Sequence, residues 1–382
     1  MKNYRMFLRG VSAIMLTFGM MVTGCATNKN VYQKMDAAVE ANSYDAAVQE
    51  IVNAQTPPEG KDKPKKPIYK ENNQISMYLD KGLLEHYAGN YAASAADLKS
   101  AEAAIEDAYT KSVSQDVVSY IANDTTKDYA GEDYEFELQN AYKTPVYSGI
   151  KIPAALELTG ARGDEKGPLL DIPAGKGQLN VLAFAGLAPY KQEKIDELAF
   201  PFLVALYPAL LAYPPLASGK LKVPELVERP SGISGVSFTV SGGEKGNLEL
   251  LEDLGAVITD TFNGHQSSVY LKTYSRVVGK LVVAAVAGKA AEEEARQNGR
   301  PEPLALAAGV GVLKAAQAAL DATEAADVRS GRYLPGKAYI GAVNLDPGKY
   351  EVSITYSNGE TLTKSVEVTA GKISLVEAVS LR

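Results

Sequence analysis

The sequence predicts an α+β protein with three parts. They are a helical N-terminal domain, a mixed α/β middle with a helical pair, and a small β-sandwich-like C-terminal module. Apolar residues recur at three- and four-residue spacing from Val31, which is typical of amphipathic helices. Residues 178–185 form a short apolar run bounded by glycine and proline, which indicates a strand. Residues 349–356 alternate apolar and polar side chains, which indicates a strand with one buried face.

Composition limits the class of protein. The chain has 382 residues, a formal net charge of −7, 46% hydrophobic residues and 22% charged residues. These values are ordinary for globular protein, and the length favours two or three domains. We expect no nucleic-acid partner, because binding phosphates needs a basic face.

Residues 1–24 have the features of a secretory signal peptide. Lys2, Arg5 and Arg9 precede an apolar segment over residues 11–21. That segment is too short to span a bilayer as a stable helix. Small residues and the single cysteine then follow: Val22, Thr23, Gly24 and Cys25.

These four residues resemble the lipobox of bacterial lipoproteins. The resemblance implies that Cys25 carries the lipid, palmitate included, and becomes the first residue of the mature chain, with residues 25–30 as a tether. A free thiol is the alternative, since one cysteine cannot form an intramolecular disulfide. Ala26 stands where an aspartate commonly retains Gram-negative lipoproteins in the inner membrane. The resemblance therefore implies an outer-membrane anchor facing the periplasm. The acyl chains hold the protein at the membrane, because each buried methylene contributes about 0.8 kcal/mol to binding.

The helical domain is predicted over residues 31–142. Its period breaks at Asn42, resumes at Tyr44, and gives way to a proline- and lysine-rich loop over residues 56–67. A solvated linker is the simpler interpretation of this loop, and contact with anionic headgroups or peptidoglycan is the alternative. Helix is predicted again from Asn73.

The second half of this domain carries a repeat-like spacing. Its residues are Gly82, Gly89, Tyr91, Ser94, Leu98 and Ala101. The spacing resembles a tetratricopeptide repeat, a helix–turn–helix unit. The resemblance implies that Gly82 and Ser94 let two helices approach, that Gly89 makes the turn, and that the set contributes to packing or to a partner-binding face. Two generic amphipathic helix pairs are the alternative.

Three further segments carry a more particular resemblance. Residues 123–142, 186–193 and 326–335 are similar to an uncharacterised family of tetratricopeptide-containing Gram-negative envelope lipoproteins. In that family further helices follow the first segment, whereas here Pro145 breaks the helix. The family also usually has tryptophan where Gly331 stands. We therefore expect a truncated helical array.

The middle domain is predicted over residues 143–335. It contains strands at 178–185 and 234–240 and an apolar, proline-punctuated stretch over residues 200–217. A covered strand-and-loop layer is the simpler interpretation of that stretch, and an exposed apolar patch is the alternative. Helices are predicted over residues 247–291 and 304–326, and Lys280 and Lys314 favour a core-packed hairpin over membrane insertion.

The β-rich module is predicted over residues 336–382. Tyr350, Val352, Ile354 and Tyr356 share one face of a strand, and Asn358-Gly359 supplies the hairpin turn. Leu362, Val366 and Val368 are predicted to lie on one face of the return strand.

Few residues suit catalysis. The histidines are His86 and His265, with no second histidine or cysteine near either, so we expect no metal site, no catalytic residue and no cofactor. His86 is predicted to lie at the surface. We expect a lipid-anchored scaffold that binds a protein partner in the envelope. The alternatives are an enzyme that acts on glycan or peptidoglycan through carboxylates, and a binding protein for a lipid or small ligand.

Overall fold

A computed structural model describes residues 32–64, 67–121, 124–132, 134–135, 172–206 and 218–382. Helices make up 45% of the structure and strands 28%. These fractions confirm the predicted α+β class.

Four helices form the N-terminal part. They are α1 (Gln33–Glu40), α2 (Tyr44–Gln55), α3 (Gln74–Tyr87) and α4 (Tyr91–Ile121). The chain turns at Asn42 and again at Gly89, whose φ angles of 55° and 84° lie in the left-handed region. Asparagine tolerates this region and glycine occupies it at no steric cost. Each turn lies where the sequence predicts an interruption, and consecutive helices fold back on each other.

In the described part of the chain after α4, ten strands and three α-helices follow. The strands are β1 (Gly177–Leu187), β2 (Tyr190–Ala199), β3 (Ser218–Val227), β4 (Val236–Val240), β5 (Lys245–Asn247), β6 (Glu249–Asp253), β7 (Pro335–Leu345), β8 (Gly348–Tyr356), β9 (Thr361–Val368) and β10 (Ile373–Ser380). The helices are α5 (Pro201–Leu206), α6 (Leu254–Gln297) and α7 (Glu302–Thr323).

The strands form two four-stranded sheets and one ribbon. The first sheet has the order β10-β1-β7-β6, and the second has the order β5-β4-β8-β9. β10 runs parallel to β1, whereas the other neighbours are antiparallel. β2 and β3 pair only with each other among the described strands.

Strand β1 is buried on both faces because it lies between two layers. Leu179 and Val181 share a core with Ile354 of the second sheet. Leu182 and Phe184 point the other way, into a core that they share with α3, α4 and the start of α6. The first sheet is therefore the central layer, with the second sheet on one side and helices on the other.

The strands within residues 336–382 share their sheets with earlier parts of the chain. β7 and β10 flank β1, and β8 pairs with β4. Tyr350, Val352, Ile354 and Tyr356 turn one face of β8 toward the core between the sheets, as the alternation predicts. β9 returns after Gly359, whose φ of 91° suits a hairpin turn.

The structure departs from the predicted elements in two places. Helix was predicted from residue 247, but residues 249–253 form β6, which pairs with β7, and α6 begins at Leu254. Asp253 marks the change, because its carboxylate accepts a hydrogen bond of 3.0 Å from the N–H of Ala256 and caps the helix. The ribbon strand β2 was not predicted, because its residues are polar and half-exposed and lack alternation.

Candidate functional site

The predicted anchor residues, Val22, Thr23, Gly24 and Cys25, lie outside the described residues, as does the tether. The repeat residues are described, and most of them are interior. Gly82, Ser94, Leu98 and Ala101 are buried between α3 and α4. A Cβ on Gly82 would lie 3.0 Å from Leu98. Their contribution is therefore close packing of the two helices rather than an open face.

The remaining two repeat residues are accessible. Gly89 lies in the exposed turn, and Tyr91 is 46% exposed at the start of α4. The Tyr91 ring stacks edge-on against His86, with 5.3 Å between ring centroids. His86 itself is buried, so its predicted surface position is wrong. Its Nε2 lies 2.7 Å from Glu377 Oε1 on β10 and ties α3 to the first sheet.

A connector between α7 and β7, which we call the strap (residues 327–334), lies between the N-terminal helices and the first sheet. Two buried carboxylates hold its backbone. Asp80 accepts the N–H groups of Arg332 and Tyr333 at 2.6 and 3.1 Å, and the hydroxyl of Tyr69 at 2.7 Å. Glu135 accepts the N–H of Gly331. The carboxylates thus satisfy backbone donors that burial has removed from water.

Burial shifts the titration of both carboxyls. Removal from water raises the pKa of Asp80 to about 6, against the opposing effect of its hydrogen bonds from Tyr69 and the strap. Removal from water likewise raises the pKa of Glu135 to about 7, although it accepts hydrogen bonds from Gly331 and Glu132. Because their oxygens are engaged by the strap, both groups hold structure rather than face a ligand.

Two arginines of the strap complete this network. Arg332 forms an ion pair with Asp36 on α1 and lies over the rings of Tyr32 and Tyr190, 4.6 and 4.1 Å from their centroids. Arg329 donates to the carbonyls of residues 72, 124 and 127 at 2.7 to 3.1 Å. The strap therefore joins the helical and β parts through hydrogen bonds and an ion pair.

An open cleft of about 510 Å³ lies between α6 and the β2–β3 ribbon. Its size suits a small molecule. Several of its charged groups, however, pair with one another: Lys191 contacts Glu132, and Lys272 and Arg276 share Asp124. In the described ranges no group of three or more histidine, cysteine, aspartate or glutamate residues could hold a metal ion. Three cations of the cleft are therefore engaged by carboxylates of the same chain.

The α6–α7 hairpin carries five of the nine large hydrophobic residues that are exposed in the described part of the chain: Leu271, Tyr274, Val283, Val286 and Leu304. The two helices contact each other along one side, where a Cβ on Gly288 would lie 2.9 Å from the Gly309 carbonyl oxygen. Their outer sides carry exposed Val283, Val286 and Leu304, and Val286 is 60% exposed. Exposed apolar side chains that lie side by side, as Val283 and Val286 do on α6, are typical of interaction surfaces.

Helix α7 also resembles a membrane span in length and composition, with a mean hydropathy of 1.5 and only 17% of its apolar window buried. The charged tip of the hairpin opposes insertion, since Arg296 forms ion pairs there with Glu292 and Glu302. The apolar runs predicted a core-packed hairpin, and one side of each helix is packed in this way. The apolar runs in the sequence did not indicate that the opposite side of each helix would be exposed.

Comparisons with protein-family models, curated proteins and solved structures found no match to this chain. The functional interpretation therefore rests on the residues and their geometry.

Proposed function

We propose that this chain is a lipid-anchored protein of the outer membrane that faces the periplasm and acts as an interaction or scaffold component of the cell envelope. One observation carries the interaction role: both outer sides of the α6–α7 hairpin expose apolar side chains, Val283, Val286 and Leu304 among them. A soluble body gains by covering such a surface with a protein partner.

The anchor rests on the sequence pattern before Cys25. A cationic start, an apolar segment of limited length and a lipobox-like Val22-Thr23-Gly24 favour lipidation over a free thiol. Palmitate and the other acyl chains on Cys25 supply the membrane contact, so being tethered is part of the function.

The finer architecture fits the same proposal. We propose that the α1–α2 and α3–α4 pairs are tetratricopeptide-like hairpins. We also propose that the chain resembles envelope lipoproteins with such repeats. The β-sandwich-like character predicted for residues 336–382 is proposed here for the two sheets that these residues share with β1 and β4. Since four of the six repeat residues are packed inside, the hairpin is the better candidate for the partner-binding surface.

Replacement of Cys25 tests the anchor. The Cys25→Ser chain should move from the membrane fraction to the soluble periplasmic fraction and lose palmitate labelling, with its thermal transition unchanged. A Cys25→Ser chain that stays in the membrane fraction would overturn the anchor and would direct attention to α7.

Site-specific photo-crosslinking in intact cells tests the interaction. A photoreactive residue at Val286 should give a discrete adduct with a protein, because this side chain lies on the proposed surface. The matched control is Lys364, an exposed residue on β9 far from the hairpin in the fold. Equal labelling at both positions, or no adduct at Val286, would count against a docking role for the hairpin.

A further inference from the structure

The proline- and lysine-rich loop after α2, which we call the lysine loop (residues 56–67), has its base beside the point where the tether enters the fold. The Gln55 side chain donates to the Tyr69 carbonyl at 3.0 Å and accepts the Tyr69 N–H at 3.2 Å. The Tyr69 ring packs edge-on against the ring of Tyr32, with 6.2 Å between the centroids. Tyr32 is the first described residue after the tether. The two ends of the lysine loop are therefore held next to the end of the tether.

The lysine loop also leaves the fold at the end of the helical pair where the tether arrives. Helices α1 and α2 run in opposite directions, and the charged groups of Lys34 and Glu50 lie 3.6 Å apart across them. Continued along both helices, this register puts Thr56 about 6 Å beyond the level of Tyr32. Every residue from Thr56 to Lys63 is exposed. The first part of the lysine loop thus projects outward on the side of the tether.

The tether keeps this end of the fold close to the membrane. Seven positions separate Cys25 from Tyr32, so at most about 25 Å of chain lies between the proposed lipid-bearing residue and the fold. Attraction between a lysine and an anionic leaflet falls off within a Debye length, about 10 Å at ordinary ionic strength. The surface around Tyr32 reaches this distance more readily than any surface farther along the fold. The lysine loop is part of that surface.

The lysine loop has the opposite charge to the mature chain as a whole. Its charged residues are Glu59, Lys61, Asp62, Lys63, Lys65 and Lys66. Four lysines against two carboxylates give it a net charge of +2, and Lys70 and Glu71, which follow it, cancel each other. The whole sequence carries −7, and residues 1–24 contain three cations and no acidic residue, so the mature chain carries −10. An anionic surface therefore repels the body of the protein and attracts the lysine loop.

The described lysines of the lysine loop are free to turn toward a membrane. Lys61 and Lys63 are both exposed, whereas Lys65 and Lys66 lie outside the described residues. Lys63 forms an ion pair of 2.7 Å with Glu71, and the two side chains are 74% and 78% exposed. An exposed ion pair contributes little to stability in water. Exchange of Glu71 for a lipid phosphate therefore costs the fold little.

From these relations we propose that the lysine loop lies against anionic phospholipid headgroups of the membrane that holds Cys25, as a second attachment beside the lipid. The inference rests on the proposed function, because the anchor supplies the membrane, and it adds an orientation of the fold on that surface. The tether gives the loop a high effective concentration of headgroups, so a contact of small net charge suffices. Each lysine near an anionic leaflet strengthens attachment about five-fold.

Fluorescence quenching on vesicles tests this contact. A fluorophore is attached to the full-length lipidated chain at Pro58→Cys, an exposed loop position whose replacement keeps every charge. The vesicles carry a quencher on a trace headgroup and consist of phosphatidylcholine alone, or of phosphatidylcholine and phosphatidylglycerol in equal parts. Quenching should increase when phosphatidylglycerol is present. It should return to the phosphatidylcholine level at high salt, because salt screens the attraction.

A pair of charge variants shows whether the lysine loop is responsible. Lys61→Gln with Lys63→Gln brings the net charge of the loop to zero and should weaken its attachment to phosphatidylglycerol vesicles about 25-fold. The matched control is Lys364→Gln with Lys372→Gln, at two exposed lysines outside the loop, and should leave the quenching unchanged. Unchanged thermal transitions verify that both variants fold. Full quenching in the loop variant, or equal losses in both variants, would overturn the inference.

Purified peptidoglycan distinguishes the other polyanion of the envelope from lipid. If the chain sediments with peptidoglycan through Lys61 and Lys63, and loop quenching does not respond to phosphatidylglycerol, the lipid contact is overturned in favour of the cell wall.

The proposed function fails separately from this inference. If the wild-type chain floats with vesicles, Cys25→Ser does not, and loop quenching ignores phosphatidylglycerol, the anchor stands and only the loop contact is overturned. If Cys25→Ser floats as readily as the wild type, the anchor is overturned. The inference then falls with it, because no tether brings the lysine loop to the membrane.

Discussion

Arg332 and Asp36 form a two-pronged ion pair that joins the strap to the first helix. Arg332 Nε lies 2.9 Å from one carboxylate oxygen, and Nη2 lies 2.6 Å from the other. The guanidinium also lies between the rings of Tyr32 and Tyr190. A planar fork and stacking are properties that arginine offers and lysine does not. This pair therefore couples the helical and β parts.

Arg332→Ala should lower the free energy of unfolding by about 2–4 kcal/mol, because it removes charged hydrogen bonds and leaves Asp36 without its cation. Urea denaturation of the purified chain measures this change in the free energy of unfolding. Arg300→Ala, at an exposed arginine beside the hairpin tip, should change stability by less than about 0.5 kcal/mol. Equal losses for the two variants would show that the ion pair is not what stabilises the junction.

The strap should make stability depend on pH. A carboxyl whose pKa is higher in the folded than in the unfolded chain holds its proton more tightly when folded, so protonation favours the fold. The contribution of these two carboxyls to stability should be greatest near pH 4 and fall as the pH rises through about 6 for Asp80 and about 7 for Glu135. A pKa shift of this size changes the free energy of unfolding by about 3 kcal/mol per group.

Denaturation across pH 4 to 8 checks this trend. The paired change Asp80→Asn with Glu135→Gln removes both titrations and should flatten the slope relative to wild type. If the stability of the wild type does not fall relative to that of the variant between pH 4 and 8, the buried titration is contradicted.

Gly82 should not accept a side chain. Gly82→Val places methyl groups against Leu98, already 3.0 Å from where a Cβ would stand, and should lower the free energy of unfolding by about 1–3 kcal/mol. Gly264→Ala is the matched control: it lies on an exposed side of α6 with open space around it and should raise stability by about 0.5–1 kcal/mol. Thermal denaturation distinguishes them, and a stabilised Gly82→Val would refute close packing.

The buried contact between His86 and Glu377 should appear as a coupling energy. In a double-mutant cycle of His86→Ala and Glu377→Ala, the combined loss should fall short of the summed single losses by about 1–3 kcal/mol. We expect this coupling because His86 Nε2 lies 2.7 Å from Glu377 Oε1 inside the fold. Strict additivity would mean that the two side chains act independently.

The sequence correctly predicted the features that depend on residues close together in the chain. The turn at Gly89 and the β8–β9 hairpin after Asn358-Gly359 follow from turn chemistry and alternation within a few residues. It mispredicted β6, because Leu248, Leu251 and Leu254 have helical spacing. Pairing with β7, far along the chain, decided the outcome.

The same limit applies to the functional interpretation. The roles of Asp80 and Glu135 depend on the strap, which is remote in sequence, so no local pattern marks them. The apolar runs of α6 and α7 were visible. Their periodicity shows which residues share a side, but only the folded neighbours show that Val286 stays uncovered.

The parallel pairing of β1 with β10 has a consequence for biogenesis. Val181 has Val376 as its neighbour, so β1 emerges from the ribosome long before its partner is synthesised. Both neighbours of β1, β7 and β10, are synthesised late, so the edges of this buried strand lack partners until then, and such edges recruit other chains. The N-terminal helices can form early, but the central layer is completed only after β10 arrives. We therefore expect nascent chains that lack β10 to be the species that chaperones must hold and proteases remove.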